Sequence, residues 1–123
     1  MANVVTNIGK GIYTGQMLSG ATAKTFYVSW GTGAGTSGAT DTTLFTESTE
    51  ARVGTTTTQQ TTSTTNDTNR FVGTITAAGG RTITNAGIFD ATSSGNMIAK
   101  GDFTGVVLNT GDSIAFTFNI QLS

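Results

Sequence analysis

From residue 112 to 122 the chain alternates almost perfectly between large apolar and small or polar side chains. Ile114, Phe116, Phe118, Ile120 and Leu122 fall on one side, and Ser113, Ala115, Thr117, Asn119 and Gln121 on the other. Successive side chains of a strand point to opposite faces, so this period-two pattern predicts a β-strand with one face on a core and the other on water or a polar partner.

The rest of the composition agrees with that strand. The 123 residues suffice for one domain with a modest core. Leu, Ile, Val and Phe together number 26, about a fifth of the chain and near the lower bound for globular proteins. The net charge of −1 removes the other half of the disorder signature. With 28 Thr and 17 Gly, the chain reads as all-β, its polar strand faces built from a β-branched residue. So thin a core predicts stability drawn from neighbours, as in an oligomer or a larger assembly.

Several classes are excluded on the same grounds. No cluster of Lys and Arg is present to neutralise phosphates, which argues against nucleic-acid binding. No apolar run approaches the ~20 residues of a membrane helix, and residues 1–10 lack the basic-then-apolar layout of a secretion signal. The absence of Cys gives no sign of an oxidising compartment, so synthesis and assembly in a cytoplasm are expected. There is no His to activate a nucleophile.

Turn signals punctuate the second half at residues 78–81, 93–96 and 109–112. Between them, residues 70–77, 82–90 and 97–103 have strand length and composition, and their spacing predicts an antiparallel meander rather than βαβ units. In residues 97–103, Met97, Ala99, Gly101 and Phe103 share one face, and Ile98, Lys100 and Asp102 the other. In residues 84–90, Ala86 and Ile88 oppose Asn85, Gly87 and Phe89, and the small residue beside a bulky ring predicts close approach of another backbone. The first half is less regular. Residues 4–8 read as a short strand or an arm, and residues 24–30 as a strand with Phe26, Val28 and Trp30 on one face. A glycine-rich loop follows at 31–38. Residues 41–47 predict one helical turn capped by Thr40 or Asp41, with Leu44 and Phe45 turned inward. No long amphipathic helix is visible. The Thr-rich tract 55–65 reads as a strand polar on both faces, with a disordered loop as the alternative.

Gly33, Gly35 and Gly38 match the G-x-G-x-x-G pattern, but poor helix formers follow where a helix N-terminus has to meet a pyrophosphate, so a loop is expected. Asp41, Glu47 and Glu50 form the densest carboxylate cluster, with Arg52 beside it. Carboxylates held at fixed separation hydrolyse glycosides only in a sugar-binding cleft, and Trp30, Tyr13 and Tyr27 are too few to build one. A cap plus a charge pair, securing a loop or contacting a neighbour, is the better reading. Asp90, Asp102 and Asp112 fall at strand ends without the spacing of a calcium loop. Asn66 and Thr68 form a glycosylation acceptor that has meaning only on a secretory route. Lys10, Lys24, Arg52, Arg70, Arg81 and Lys100 are scattered singly. No residue is assigned a catalytic, cofactor-binding or metal-binding role.

The stretches 27–35, 41–47, 82–91 and 94–99 resemble small virion proteins of tailed bacteriophages, over most of the chain from about residue 26. The block of Gly87, Ile88, Phe89 and Asp90, a Gly turn, and then Met97, Ile98 and Ala99 is also similar to a module of phage tail-collar fibre proteins. Fibre proteins carry long shafts or receptor-binding tips, whereas this chain stops at Ser123, so the resemblance is closer to capsid decoration (cement) proteins. It implies a non-enzymatic, all-β protein: an antiparallel β-sandwich or jelly-roll-like single domain (residues 24–123) after an N-terminal arm and short strand (residues 1–23). It further implies a homotrimer bound to the major capsid protein on the capsid surface of the virion, with no nucleic-acid or membrane partner and no cofactor. The arm (2–12) and the Thr tract (55–65) are the segments expected to reach neighbours. A tail-fibre or collar adaptor is the alternative, and a carbohydrate-binding module, testable at Trp30, a more distant one.

Overall fold

Runs of β-branched and aromatic residues at two-residue spacing, separated by Gly, Asn and Ser turns, fold into eight antiparallel strands. In the computed structural model, which describes residues 2–122, these are β1 (Asn3–Val5), β2 (Tyr27–Gly31), β3 (Val53–Gly54), β4 (Thr56–Gln60), β5 (Thr68–Thr76), β6 (Arg81–Phe89), β7 (Met97–Leu108) and β8 (Ser113–Gln121), with one helix, α1 (Asn7–Gly15), between β1 and β2. Met1 and Ser123, the outer bounds of the regions expected from the sequence, lie outside the described residues. Sheet A has the strand order β1-β7-β6-β2-β3 and sheet B the order β4-β5-β8. The two pack face to face as the all-β antiparallel sandwich that composition and period imply.

The C-terminal alternation sets the inner face of sheet B. β8 pairs with β5 through nine residue pairs, placing Phe118 beside Phe71, Phe116 beside Gly73 and Ile114 beside Ile75. Ile75, Ile114, Phe116 and Phe118 meet Val28, Trp30, Ile83, Ala86 and Leu108 of sheet A, and Phe71 meets Ile88 and Ala99. Trp30 is fully buried and meets Phe116 edge-on, with ring centroids 6.1 Å apart. The outer face of sheet B is mostly polar: Thr56 pairs with Val72 and Val72 with Thr117, while Thr74 pairs with Ala115, all exposed.

Strand connectivity differs from a meander. β5 and β6 are consecutive but do not pair; residues 77–80 carry the chain from sheet B to sheet A, and residues 109–112 bring it back. The two crossings are clipped together, Ala77 N–H donating to Asp112 C=O (2.8 Å) and Gly111 N–H to Ala77 C=O (2.9 Å). Turn residues mark where a chain reverses but carry no information on which sheet receives it.

The faces of β6 follow the sequence reading. Ala86 and Ile88 enter the inter-sheet core, while Phe89 packs outside sheet A with Leu44 and Met97. Gly87 admits that outer layer: a Cβ there would lie 3.1 Å from Leu44 Cδ2. β7 departs from the expected pattern. Ile88 pairs with Ala99 but Phe89 with Met97, so a bulge at Ile98 reverses the parity and moves Met97 to the face opposite Ala99.

The segment read as an arm docks on its own domain. β1 pairs with β7 from Asn3–Gly101 to Val5–Ala99, and α1, absent from the sequence reading, follows at once. Thr6 caps α1: its hydroxyl accepts from Gly9 N–H (3.0 Å) and donates to Met97 C=O (2.5 Å). Three glycines in nine residues are poor helix formers, each costing about 1 kcal/mol against Ala, so the helix owes its existence to packing. Gly9 makes that packing possible, since a Cβ there would strike the Ile98 carbonyl.

Residues 41–47 form no helical turn. Asp41 instead accepts from Gly38 N–H behind it (2.9 Å), Phe45 N–H donates to the Asn85 side-chain oxygen (3.0 Å), and the chain turns at Thr46, whose φ is 53°. Leu44 is buried as expected. Of the Thr tract 55–65, only Thr56–Gln60 is strand; the rest turns around Asp67, whose carboxylate accepts from Thr62, Ser63 and Thr64 N–H at 2.9, 3.0 and 3.0 Å.

Candidate functional site

The carboxylates that look clustered in sequence are separated in space, each with its own cation. Glu47 binds Arg52 through both oxygens (2.9 and 3.1 Å) and accepts from Ser29 (2.6 Å). Arg52 goes on to the carbonyls of Ala91 (2.9 Å) and Ser94 (2.8 Å) and lies 3.7 Å above the centre of the Phe89 ring, tying the β6–β7 hairpin loop to β2 and β3. Glu50 accepts from Trp30 Nε1 (3.0 Å), Ala78 N–H (2.9 Å), Arg81 Nε (2.5 Å) and the Ser48 hydroxyl. Asp41 binds Lys100 Nζ (3.0 Å). That ammonium has no exposed area, donates to Thr43 C=O (2.9 Å) and sits 3.2 Å from the centre of the Phe45 ring.

All three acids are held ionised. The Gly38 N–H and then Lys100 keep Asp41 below the usual carboxylate range. The Arg52 hydrogen bond does so for Glu47, against the opposing effect of burial. Burial pushes Glu50 up, but four donors outweigh it and hold the group well below its ordinary value. A general acid has to carry a proton near neutral pH, and these groups are shifted the other way. They clamp loops onto sheet A.

The remaining predicted residues have structural surroundings too. A Cβ on Gly35 would lie 2.6 Å from the Phe45 ring, so the glycine pattern of residues 33–38 serves loop packing, and no helix follows it. Asp90 closes its turn on Asn96 N–H (2.8 Å), Asp102 accepts from Ser37 N–H (2.8 Å), and Asp112 accepts from Asn109 N–H (2.8 Å). Among the described residues no three acids come together as a metal site. Trp30, the ring proposed for sugar stacking, is buried and cannot stack on a ligand. Asn66 lies in the turn ordered by Asp67, and Thr68 is buried. Lys10 and Lys24 are exposed, and Arg70 donates to Asn119 (3.0 Å) across the outer face of sheet B.

What the chain offers to other molecules is therefore surface. One cleft of about 280 Å³ opens between β1, β7 and β8, walled by Phe116 and Phe118. A second, of about 330 Å³, lies between α1 and β4–β5, where Tyr13, Phe26 and Phe71 stand among Gln16, Gln59 and Asn69. Tyr13 donates its hydroxyl to Asn69 there, and burial raises its pKa. Met17, Leu18, Val107 and Leu122 are exposed apolar side chains around these openings and the long β7. Sequence reasoning missed both clefts, because each joins segments far apart in the chain: β1 with β7 and β8 in the first, Tyr13 with Asn69 in the second.

In this sandwich the charged groups clamp its own loops, and two clefts stay open at the surface. The chain belongs to the family of podophage GP4 fiber I protein gp80, whose model matches residues 11–121, and it is a bacteriophage virion structural protein. No curated protein and no solved structure matches it.

Proposed function

We propose that this protein is a fibre-type subunit of a podophage virion, joining other virion chains through its surface and without chemistry of its own. The observation that carries this reading is the family match, which spans nearly the whole sandwich, from within α1 to the end of β8. The internal use of Glu47, Glu50, Asp41 and their cations supports it, because these groups stabilise a rigid scaffold and leave contact as the mode of action.

The polar, exposed outer face of sheet B favours a second reading, a decoration protein lying on the major capsid protein lattice as a homotrimer. A Thr-rich, exposed surface suits a broad protein floor, where several weak contacts add through effective concentration. Copy number and position on purified particles separate the two. A fibre-type subunit is seen at the tail or its collar, in six to a few dozen copies by the symmetry of such structures. Label spread over the heads in hundreds of copies would replace it with the decoration reading.

A further inference from the structure

Sheet A has five strands and sheet B three. β5 lies across from β2, where Gly73 meets Val28, and β8 follows beside it. Sheet B then ends, while sheet A continues through β7 to β1. Helix α1 covers one end of this overhang by packing Tyr13 against the cluster of Phe71, Ile88, Ala99 and Ile120. The other end is the cleft of about 280 Å³, with Val5, Ala99 and Phe103 in its floor and Phe116 and Phe118 in its wall. Both wall rings stay half-buried for want of a neighbour.

The wall is also a free sheet edge. β8 pairs with β5 on one side, and its nine residues include no charge, Pro, Gly or bulge. Those are the devices by which natural edges prevent pairing. The other outer strands are shorter: β1 has three residues, β3 two and β4 five.

We propose that this edge takes an extended strand from another polypeptide, hydrogen-bonded to β8 and laying alternate apolar side chains over the cleft floor. Charge complementarity specifies the strand. β8 is uncharged, and the nearby Lys100 ammonium is turned to the opposite face of sheet A, against Asp41 and Phe45. A charged side chain directed into the cleft would therefore be buried without a partner, so the inward positions are uncharged. A second folded copy joined β8 to β8 does not fit. The two-fold axis would bring its sheet A to the same side, into the space already filled by β7 and β1. The occupant is an arm or tail segment with no covering layer of its own. This inference stands on the geometry of the sandwich alone, whether or not the fibre reading holds.

The test uses the full chain and a synthetic peptide of residues 113–122, which has the required alternation, with two lysines added at each end for solubility. Saturable binding by fluorescence anisotropy is expected, together with slowed amide exchange in residues 114–120. Replacing both peptide phenylalanines by lysine should weaken binding at least tenfold, and Phe116→Lys in the protein should do the same. Asn3→Lys, at the exposed rim of the cleft, serves if Phe116→Lys disturbs folding. Equal binding of the two peptides, or no binding with unchanged exchange at β8, overturns the proposal. A dimer of the protein alone that Phe116→Lys or Asn3→Lys abolishes also overturns it, by making a second folded copy the occupant.

Discussion

Trp30, fully buried between the sheets, donates its indole N–H to Glu50 Oε1 at 3.0 Å. The bond links the centre of the core to the loop after β2, and Arg81 secures the other carboxylate oxygen at 2.5 Å. Glu50→Gln keeps the shape but offers Arg81 no charge and can satisfy fewer donors. With Arg81 partly exposed, the cost falls at the low end for a broken buried pair, about 3 kcal/mol by urea denaturation. The sign of the pH dependence follows from the same contacts. A carboxyl whose folded-state pKa lies below its unfolded value contributes stability that is complete above the unfolded value and is lost as pH falls toward the folded one. The wild type should therefore weaken as pH drops below about 4.3, and Glu50→Gln should show a shallower loss across the same window. Parallel pH profiles would remove Glu50 from this role.

The Lys100–Asp41 pair separates two kinds of loss. Asp41→Ala leaves an ammonium with no exposed area facing only the Thr43 carbonyl and the Phe45 ring, and should cost about 3 kcal/mol. Lys100→Met replaces the charge by an apolar chain of similar length and leaves Asp41 at the surface with its Gly38 bond, so about 1 kcal/mol is expected. Thermal denaturation of the two variants gives the order. The reverse order would mean that the aspartate, not the lysine, bears the desolvation.

How legible the molecule is in its sequence varies with the range of the forces involved. The alternation in β8 is visible because its face is set by neighbours two residues away, and the same holds for Phe26, Val28 and Trp30. The parity of β7 is hidden, since the bulge at Ile98 answers to β6 rather than to anything local. Helix α1 is masked by its glycines, and the signal that could have found it was Thr6 as a cap ahead of Ile8 and Ile12 at helical spacing. At the candidate site, the grouping of Asp41, Glu47 and Glu50 reflected sequence distance. Their partners Lys100 and Arg81 lie 59 and 31 residues away, and single scattered cations give no sign of their pairings.

Thr6→Ala tests whether α1 depends on its cap and on β7. The substitution removes the acceptor for Gly9 N–H and strands the Met97 carbonyl, two buried partners. A loss of about 2 kcal/mol is expected, the upper range for an N-cap. Amide exchange in residues 7–15 should accelerate more than that in β5 and β8, because the helix has little propensity to hold it alone. Uniform acceleration throughout would make α1 part of one cooperative unit with the sandwich.

The faces of β8 and its partner predict a graded series. Phe71 is 4% exposed in the inter-sheet core, so Phe71→Ala should cost about 3–5 kcal/mol, much of a small domain's stability. Phe116 is half-buried at the cleft wall and loses fewer contacts, so about 2 kcal/mol is expected for Phe116→Ala. Thr117 points outward beside exposed Val72, and Thr117→Ala should stay within about 0.5 kcal/mol. Urea midpoints at constant slope measure all three. A cost at Phe116 equal to that at Phe71 would mean that the cleft is closed in solution, and a large cost at Thr117 would mean that the outer face of sheet B is itself covered.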